Sequence, residues 1–148
     1  MKVADALNNI HRIGLDSAPI IYYVERNPDF HAVCVPFFQA IDFGSVMASV
    51  STLAITEVLT TPLRHGDSNL AISFQNLLAR TQNIDLISVS EEVAEKAASL
   101  RAVHHLRTPD AIHLASAIMD GCDSFLTNDA RLKRLPDIQV LILNELEL

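Results

Sequence analysis

The spacing of apolar residues changes along the chain, and each change marks a new element. "IHRIGLD" (Ile10–Asp16) is a short apolar run ending on an acid, and it predicts a strand. In "SAPIIYYVERNPDFHAVCVPFFQAI" apolar residues recur at helical spacing on either side of Asn27-Pro28, which predicts two helices. "GSVMASVS" (Gly44–Ser51) has strand length, and "TLAITEVLTTPLRHG" after it predicts a helix closed by Pro62 and Gly66. "DSNLAISFQNLLARTQ" opens with a capping pair and keeps a helical period, and "IDLISVS" predicts a third strand.

From Ser90, "SEEVAEKAASLRAVHHL" has acids in its first turn and cations or histidines near its end, the polarity that a helix macrodipole favours. "TPDAIHLASAIMDG" follows, with Thr108 the expected cap, Pro109 at the first helical position and Gly121 at the stop. "DSFLT" (Asp123–Thr127) predicts a strand, "NDARLKRL" a short helix, and "IQVLIL" (Ile138–Leu143) a last strand. Such alternation implies an α/β fold, a three-layer α/β/α sandwich on a mostly parallel sheet of about five strands. No repeat or linker interrupts the pattern, and 148 residues suit one domain.

Composition narrows the chemistry. Apolar residues make up 49% of the chain, enough for a packed core. The formal net charge of -7 argues against a broad electrostatic grip on nucleic acid or an anionic membrane, so any nucleic-acid role must use local basic patches. No apolar run approaches membrane-spanning length and no secretory segment is evident, so a cytoplasmic protein without membrane attachment is expected. Cys34 and Cys122 lack the spacing of a zinc site and read as small core residues.

The acids stand out by position. Asp16 ends the first strand, Glu57 lies in the second turn of the helix after the second strand, Asp110 opens its helix, and Asp129 follows the fourth strand. In an open parallel sheet, ligands bind beyond the carboxyl ends of the strands, where these four acids can converge. Each also has a structural reading: Asp16 and Asp129 as helix caps, and Asp110 as a first-turn acid favoured by about 0.3–1 kcal/mol. Glu57 resists that reading, because it sits among apolar residues in "LAITEVL" with no Lys or Arg within a turn. Carboxylates that meet in one crevice repel one another or take a cation, and hard oxygen donors suit Mg²⁺ or Mn²⁺.

This set resembles the PIN-domain ribonucleases, in particular the VapC-like toxins of bacterial toxin–antitoxin pairs. The resemblance rests on "IGLDSAPIIYYVE", "SVSTLAITEVL", "RTPDAIHLASAI" and "FLTNDARL", in that order and spacing. It implies one PIN-like domain over 1–148; the family commonly begins with its first strand, so 1–9 are a short N-terminal extension, expected to form a helix over a sheet edge. It implies Asp16, Glu57, Asp110 and Asp129 as catalytic and metal-site residues, with the Thr127 hydroxyl orienting the last of them. It further implies metal-activated water cleaving RNA phosphodiester bonds, a cognate antitoxin and a homodimer. The family often carries Asn two residues after its first Asp, where this chain has Ala18.

Five of the eleven Lys and Arg residues fall between Arg101 and Arg134, and Arg101, Arg107 and Arg131 are the candidates for holding substrate phosphates. Such cations near helix ends are also commonly solvated. His113, three residues after Asp110, reads as a hydrogen-bonded core residue outside the site. Tyr22, Tyr23, Phe37 and Phe38 read as core or interface aromatics, with base stacking as the alternative. Two further classes compete: a non-catalytic α/β interaction domain whose acids are caps, and a phosphoryl-transfer domain such as a phosphatase or receiver. The last wants a lysine at a later strand end, and none is evident.

Overall fold

The computed structural model describes all residues, Met1–Leu148. Five strands form one wholly parallel sheet: β1 (Arg12–Leu15), β2 (Met47–Ser51), β3 (Ile84–Ile87), β4 (Ser124–Thr127) and β5 (Gln139–Ile142). Their spatial order is β3-β2-β1-β4-β5. The chain therefore moves outward from β1 to β3, then returns to the other side of β1. The switch point lies between β1 and β4, where diverging crossovers leave a crevice beyond the strand ends.

Seven helices cover the sheet: α1 (Val3–Leu7), α2 (Ser17–Val24), α3 (His31–Phe43), α4 (Leu53–Arg64), α5 (Ser68–Arg80), α6 (Glu91–His104) and α7 (Thr108–Met119). Alternate strand residues divide the core. Ile13, Leu15, Ala48, Val50 and Leu126 face a layer that includes Phe37, Phe38 and Phe74. Phe125, Val140 and Ile142 face the opposite layer with Leu100 of α6 and Leu114 of α7. The α/β/α layering expected from the alternating pattern is the observed one.

Local chemistry explains most boundaries. Asp67 and Ser90 cap α5 and α6 by accepting the Leu70 and Val93 N–H groups at 3.1 and 3.2 Å. Asn27 Oδ1 accepts from the N–H groups of Asp29 and Phe30, which makes the turn separating α2 from α3. Pro62 does not close α4. The helix continues to Arg64, because one missing N–H near its end is tolerated, and Gly66 at φ 68° makes the turn instead. Arg107, not Thr108, occupies the cap position of α7, and Thr108 is already helical. The expected helix "NDARLKRL" is a 3₁₀ turn over Ala130–Arg134. The N-terminal helix α1 packs beside α3 and is tied to the chain's other end, Val3 N–H donating to the Glu147 carbonyl at 2.8 Å.

The face of β1 and β2 toward α7 carries Gly14, Ser49 and Ser51, while α7 presents Ala111, Ala115 and Ala117. Small residues on both sides let helix and sheet approach closely. A Cβ added at Gly14 would stand 2.5 Å from the Ala117 Cβ. Below this contact, Arg12 pairs with Asp85 at 2.8 Å and with Asp120, just past α7, at 3.0 Å. Cys34 is buried and Cys122 half-buried, both as free thiols; burial pushes them up to about 12 and about 11.

Gly14→Ala forces α7 away from the sheet. We expect an overpacking cost of about 1–3 kcal/mol, read as a melting point lower by roughly 3–10 °C for a domain of this size. An unchanged melting point would show that the layers part without cost.

Candidate active site

A pocket of about 510 Å³ opens beyond the carboxyl ends of β1 and β4, lined by Asp16, Glu57, Asp110, Thr127 and Asp129, with Tyr22, Arg107 and Arg131. Asp16 stands immediately after β1 in extended backbone, where it caps α2. Its Oδ1 accepts the Ser17 N–H at 2.8 Å, and its Oδ2 accepts the Thr127 hydroxyl at 2.7 Å. Thr127, buried at the end of β4, also accepts the Asp129 N–H at 3.1 Å. One hydroxyl therefore links the first and last acids across the switch point.

Asp129 caps the 3₁₀ turn through the Arg131 N–H at 3.0 Å and meets the Arg131 guanidinium in a fork, at 2.9 and 2.7 Å. Asp110 accepts from Arg107 Nε at 3.1 Å. Arg107 and Arg131 expose 67% and 70% of their side chains, so these pairs stay open to solvent screening. Glu57 is hydrogen-bonded to His113 Nε2, which lies 3.8 Å from Asp16 Oδ1. His113 is buried and hydrogen-bonded, as expected, and does not itself line the pocket. Its i,i+3 spacing from Asp110 was the available signal of this contact, but the partner Glu57 lies 56 residues away.

The remaining basic residues serve elsewhere. Arg101 donates to the Leu106 carbonyl at 2.9 Å and steadies the α6–α7 turn; it does not line the pocket. Arg134 donates to the His104 carbonyl at 2.6 Å, and Lys133 pairs with Glu145. Tyr22 lines the pocket with its ring stacked on Phe30 at 4.9 Å. Ala18 forms part of the wall.

The acids divide electrostatically. Burial pushes the Asp16 carboxyl above its usual range, against the His113 charge and the Thr127 and Ser17 hydrogen bonds. The hydrogen bond from His113 holds Glu57 low, against its partial burial. Asp129 is held low chiefly by its hydrogen bond from Arg131. Burial opposes a charged His113, but the Glu57 hydrogen bond and the charges of Asp16, Glu57 and Asp110 together push the imidazole upward.

The donors are hard carboxylate oxygens, which fit Mg²⁺ or Mn²⁺ in kind. No three His, Cys, Asp or Glu residues are grouped as a ready cation cage. The reason is visible: arginines hold Asp110 and Asp129, and His113 holds Glu57. A cation entering here would displace the two arginines.

Fold and crevice together define an open parallel α/β domain with an acidic site at its switch point. The chain belongs to the PIN domain family, which it matches over residues 13–138. PIN domains are generally nucleases and typically use divalent metals. The fold is similar to that of VapBC2 from Rickettsia felis bound to a DNA fragment from its promoter, with TM-score 0.70 and 14% identity over 88% of this chain and 98% of that one. It is similar to a toxin–antitoxin complex from Klebsiella pneumoniae, with TM-score 0.64 and 19% identity over 89% and 97%. A third similar structure is Mycobacterium tuberculosis VapC20, a sarcin–ricin-loop-cleaving toxin, with TM-score 0.66 and 13% identity over 86% and 98%. No curated protein sequence matches significantly. No helix is long and apolar enough to cross a membrane.

The His113–Glu57 pair makes the metal-free protein pH-sensitive. A raised imidazole contributes fully below its ordinary value of 6.5, and this contribution is lost as pH rises through the folded value. A depressed Glu57 contributes above its ordinary 4.5, and this is lost as pH falls through the folded value. In EDTA, the stability difference between the parent and His113→Gln should therefore be greatest between 4.5 and 6.5 and shrink toward alkaline pH. Urea midpoints from pH 4.5 into the alkaline range check this; a constant difference would mean the pair is not ionic.

Proposed function

We propose that this chain is a metal-dependent endoribonuclease, the toxin of a toxin–antitoxin pair. One observation carries the reading: Asp16, Glu57, Asp110 and Asp129, from four separate segments, line a single pocket together with Arg107 and Arg131. Asp16, Glu57, Asp110 and Asp129 would hold Mg²⁺ or Mn²⁺. Such an ion, when bound, neutralises phosphate charge and makes the water it holds more acidic. Thr127 keeps Asp16 and Asp129 in register, and Arg107 and Arg131 are placed to take phosphates flanking the scissile bond once released from their acids. The Tyr22 ring at the wall offers a face to a base.

The competing interaction-domain reading draws on Asp16 and Asp129, which do act as caps. Capping leaves Asp16 Oδ2 to Thr127 and does not account for Glu57, which lies inside α4. A cap and a ligand are compatible roles for one carboxylate, since its two oxygens serve separately. The partner reading rests on relatives: the R. felis and K. pneumoniae structures are toxin–antitoxin complexes. A cognate antitoxin over the pocket and a homodimer complete the proposal, together with a single domain spanning 1–148 and a cytoplasmic location.

Asp16→Asn tests ligand against cap. The amide mimics the neutral carboxyl that burial favours, so it should melt higher than the parent in EDTA. It should also cut Mg²⁺- or Mn²⁺-dependent RNA cleavage by about 100-fold or more. For a site with a dissociation constant of about 1 mM, 10 mM Mg²⁺ adds roughly 1.4 kcal/mol, or about 2–5 °C, to the parent. The Asp16→Asn variant should lack that gain. Cleavage by the variant at parental rate, or a parent that ignores Mg²⁺, sinks the proposal.

Arg131→Gln should weaken RNA binding and lower the slope of log affinity against log salt by about 0.7 for one lost phosphate contact on a single strand. Filter binding at several salt concentrations measures it. An unchanged slope would leave Arg131 as a partner of Asp129 only.

A further inference from the structure

His113 is the one buried titratable group at the pocket that the proposed chemistry does not use. Its side chain is 2% exposed, so the ring cannot reach substrate, yet its Nε2 meets Glu57 and stands 3.8 Å from Asp16. Its Nδ1 is buried without a partner. A buried polar atom left unsatisfied is uncommon in folded proteins and calls for a reason. An apolar side chain of similar size would fill the same space without it. What the imidazole adds is the N–H at Nε2.

Glu57 needs such a group. It projects from α4 on one side of the sheet with a third of its side chain exposed, and a glutamate has three rotatable bonds by which to leave a productive position. His113 projects from α7 on the opposite side, one turn beyond Asp110. The ring's position is set by packing rather than by a hydrogen bond at Nδ1, because α7 lies hard against β1 where Gly14 meets Ala117. The Glu57–His113 contact thus joins the two helical layers over the end of the sheet. Groups that hydrogen-bond a ligand carboxylate orient it and tune its affinity for metal.

We propose that His113 is a positioning residue, which through its Nε2 N–H holds the Glu57 carboxylate beside Asp16 so that acids from both layers face one cation. The inference rests on the metal-dependent reading of the site. It assigns His113 neither metal nor substrate contact.

The test is Mn²⁺ binding to the full chain, followed by loss of the free-Mn²⁺ electron paramagnetic resonance signal without RNA present. His113→Leu removes the N–H and should weaken Mn²⁺ binding by about 10–100-fold. His113→Gln can place an amide N–H toward Glu57 and should recover most of that roughly 10–100-fold loss. In a Glu57→Gln background, His113→Leu should cause no further loss, whereas in an Asp110→Asn background it should cause its full loss. Should His113→Leu prove unfolded by circular dichroism, His113→Gln and His113→Asn serve instead, since the shorter amide cannot reach Glu57 and should bind like the Leu variant is expected to. Parental affinity in His113→Leu or His113→Asn overturns the inference alone. Equal further loss in both backgrounds also overturns it, as a general packing effect. A folded parent that binds no Mn²⁺ overturns both this inference and the metal-dependent reading beneath it.

Discussion

The close seating of α7 on β1 is the constraint on which the site depends. Gly14 has no side chain, and the space a Cβ would need is taken by Ala117. Flanking residues on both surfaces are small, so the helix axis lies nearer the sheet than larger side chains would allow. That depth carries Asp110 to the pocket and brings the buried His113 within 3.8 Å of Asp16 at the end of β1. A helix lifted by one methyl group would carry both residues with it, because a packed interior has few voids to absorb the shift.

Charge balance is the second organising feature. Four carboxylates line one crevice, and this protein sets two arginines and a histidine against them. The compensation is graded by burial. Asp16 is shielded and shifts toward its neutral form, while Asp129, at the rim, remains ionised beside Arg131. The exposed arginines form pairs that water weakens.

Capping leaves these carboxylates free for a second contact in this fold. An acid at the carboxyl end of a strand is also the residue before the next helix, so Asp16 and Asp129 satisfy backbone N–H groups with one oxygen while another faces the pocket wall or a cation partner. The parallel α/β arrangement makes this coincidence possible wherever a helix follows a strand directly. Similar structures share only 13–19% identity with this chain, so the backbone arrangement persists through extensive change in the residues that fill it.

The linear pattern determined the layering, the parallel sheet and the approximate helix limits, because burial on a strand or helix face repeats at a period that survives in sequence. It also marked Asp16, Asp110 and Asp129 by their places near strand ends and helix starts, and Glu57 by its apolar surroundings. Tertiary structure decided what met what. The linear pattern assigned Arg101 to phosphates, whereas folding turns it to the Leu106 carbonyl. Local sequence around Glu57 offers no counter-charge, and its partner arrives on α7 from the other side of the sheet. Pro62 reads as a stop, yet the helix passes it because Pro62 packs into the core and the lost hydrogen bond falls near the end of the helix. Pairings across many residues depend on strand order and helix depth, which are set by the packing of the whole domain and leave no periodic trace in the chain.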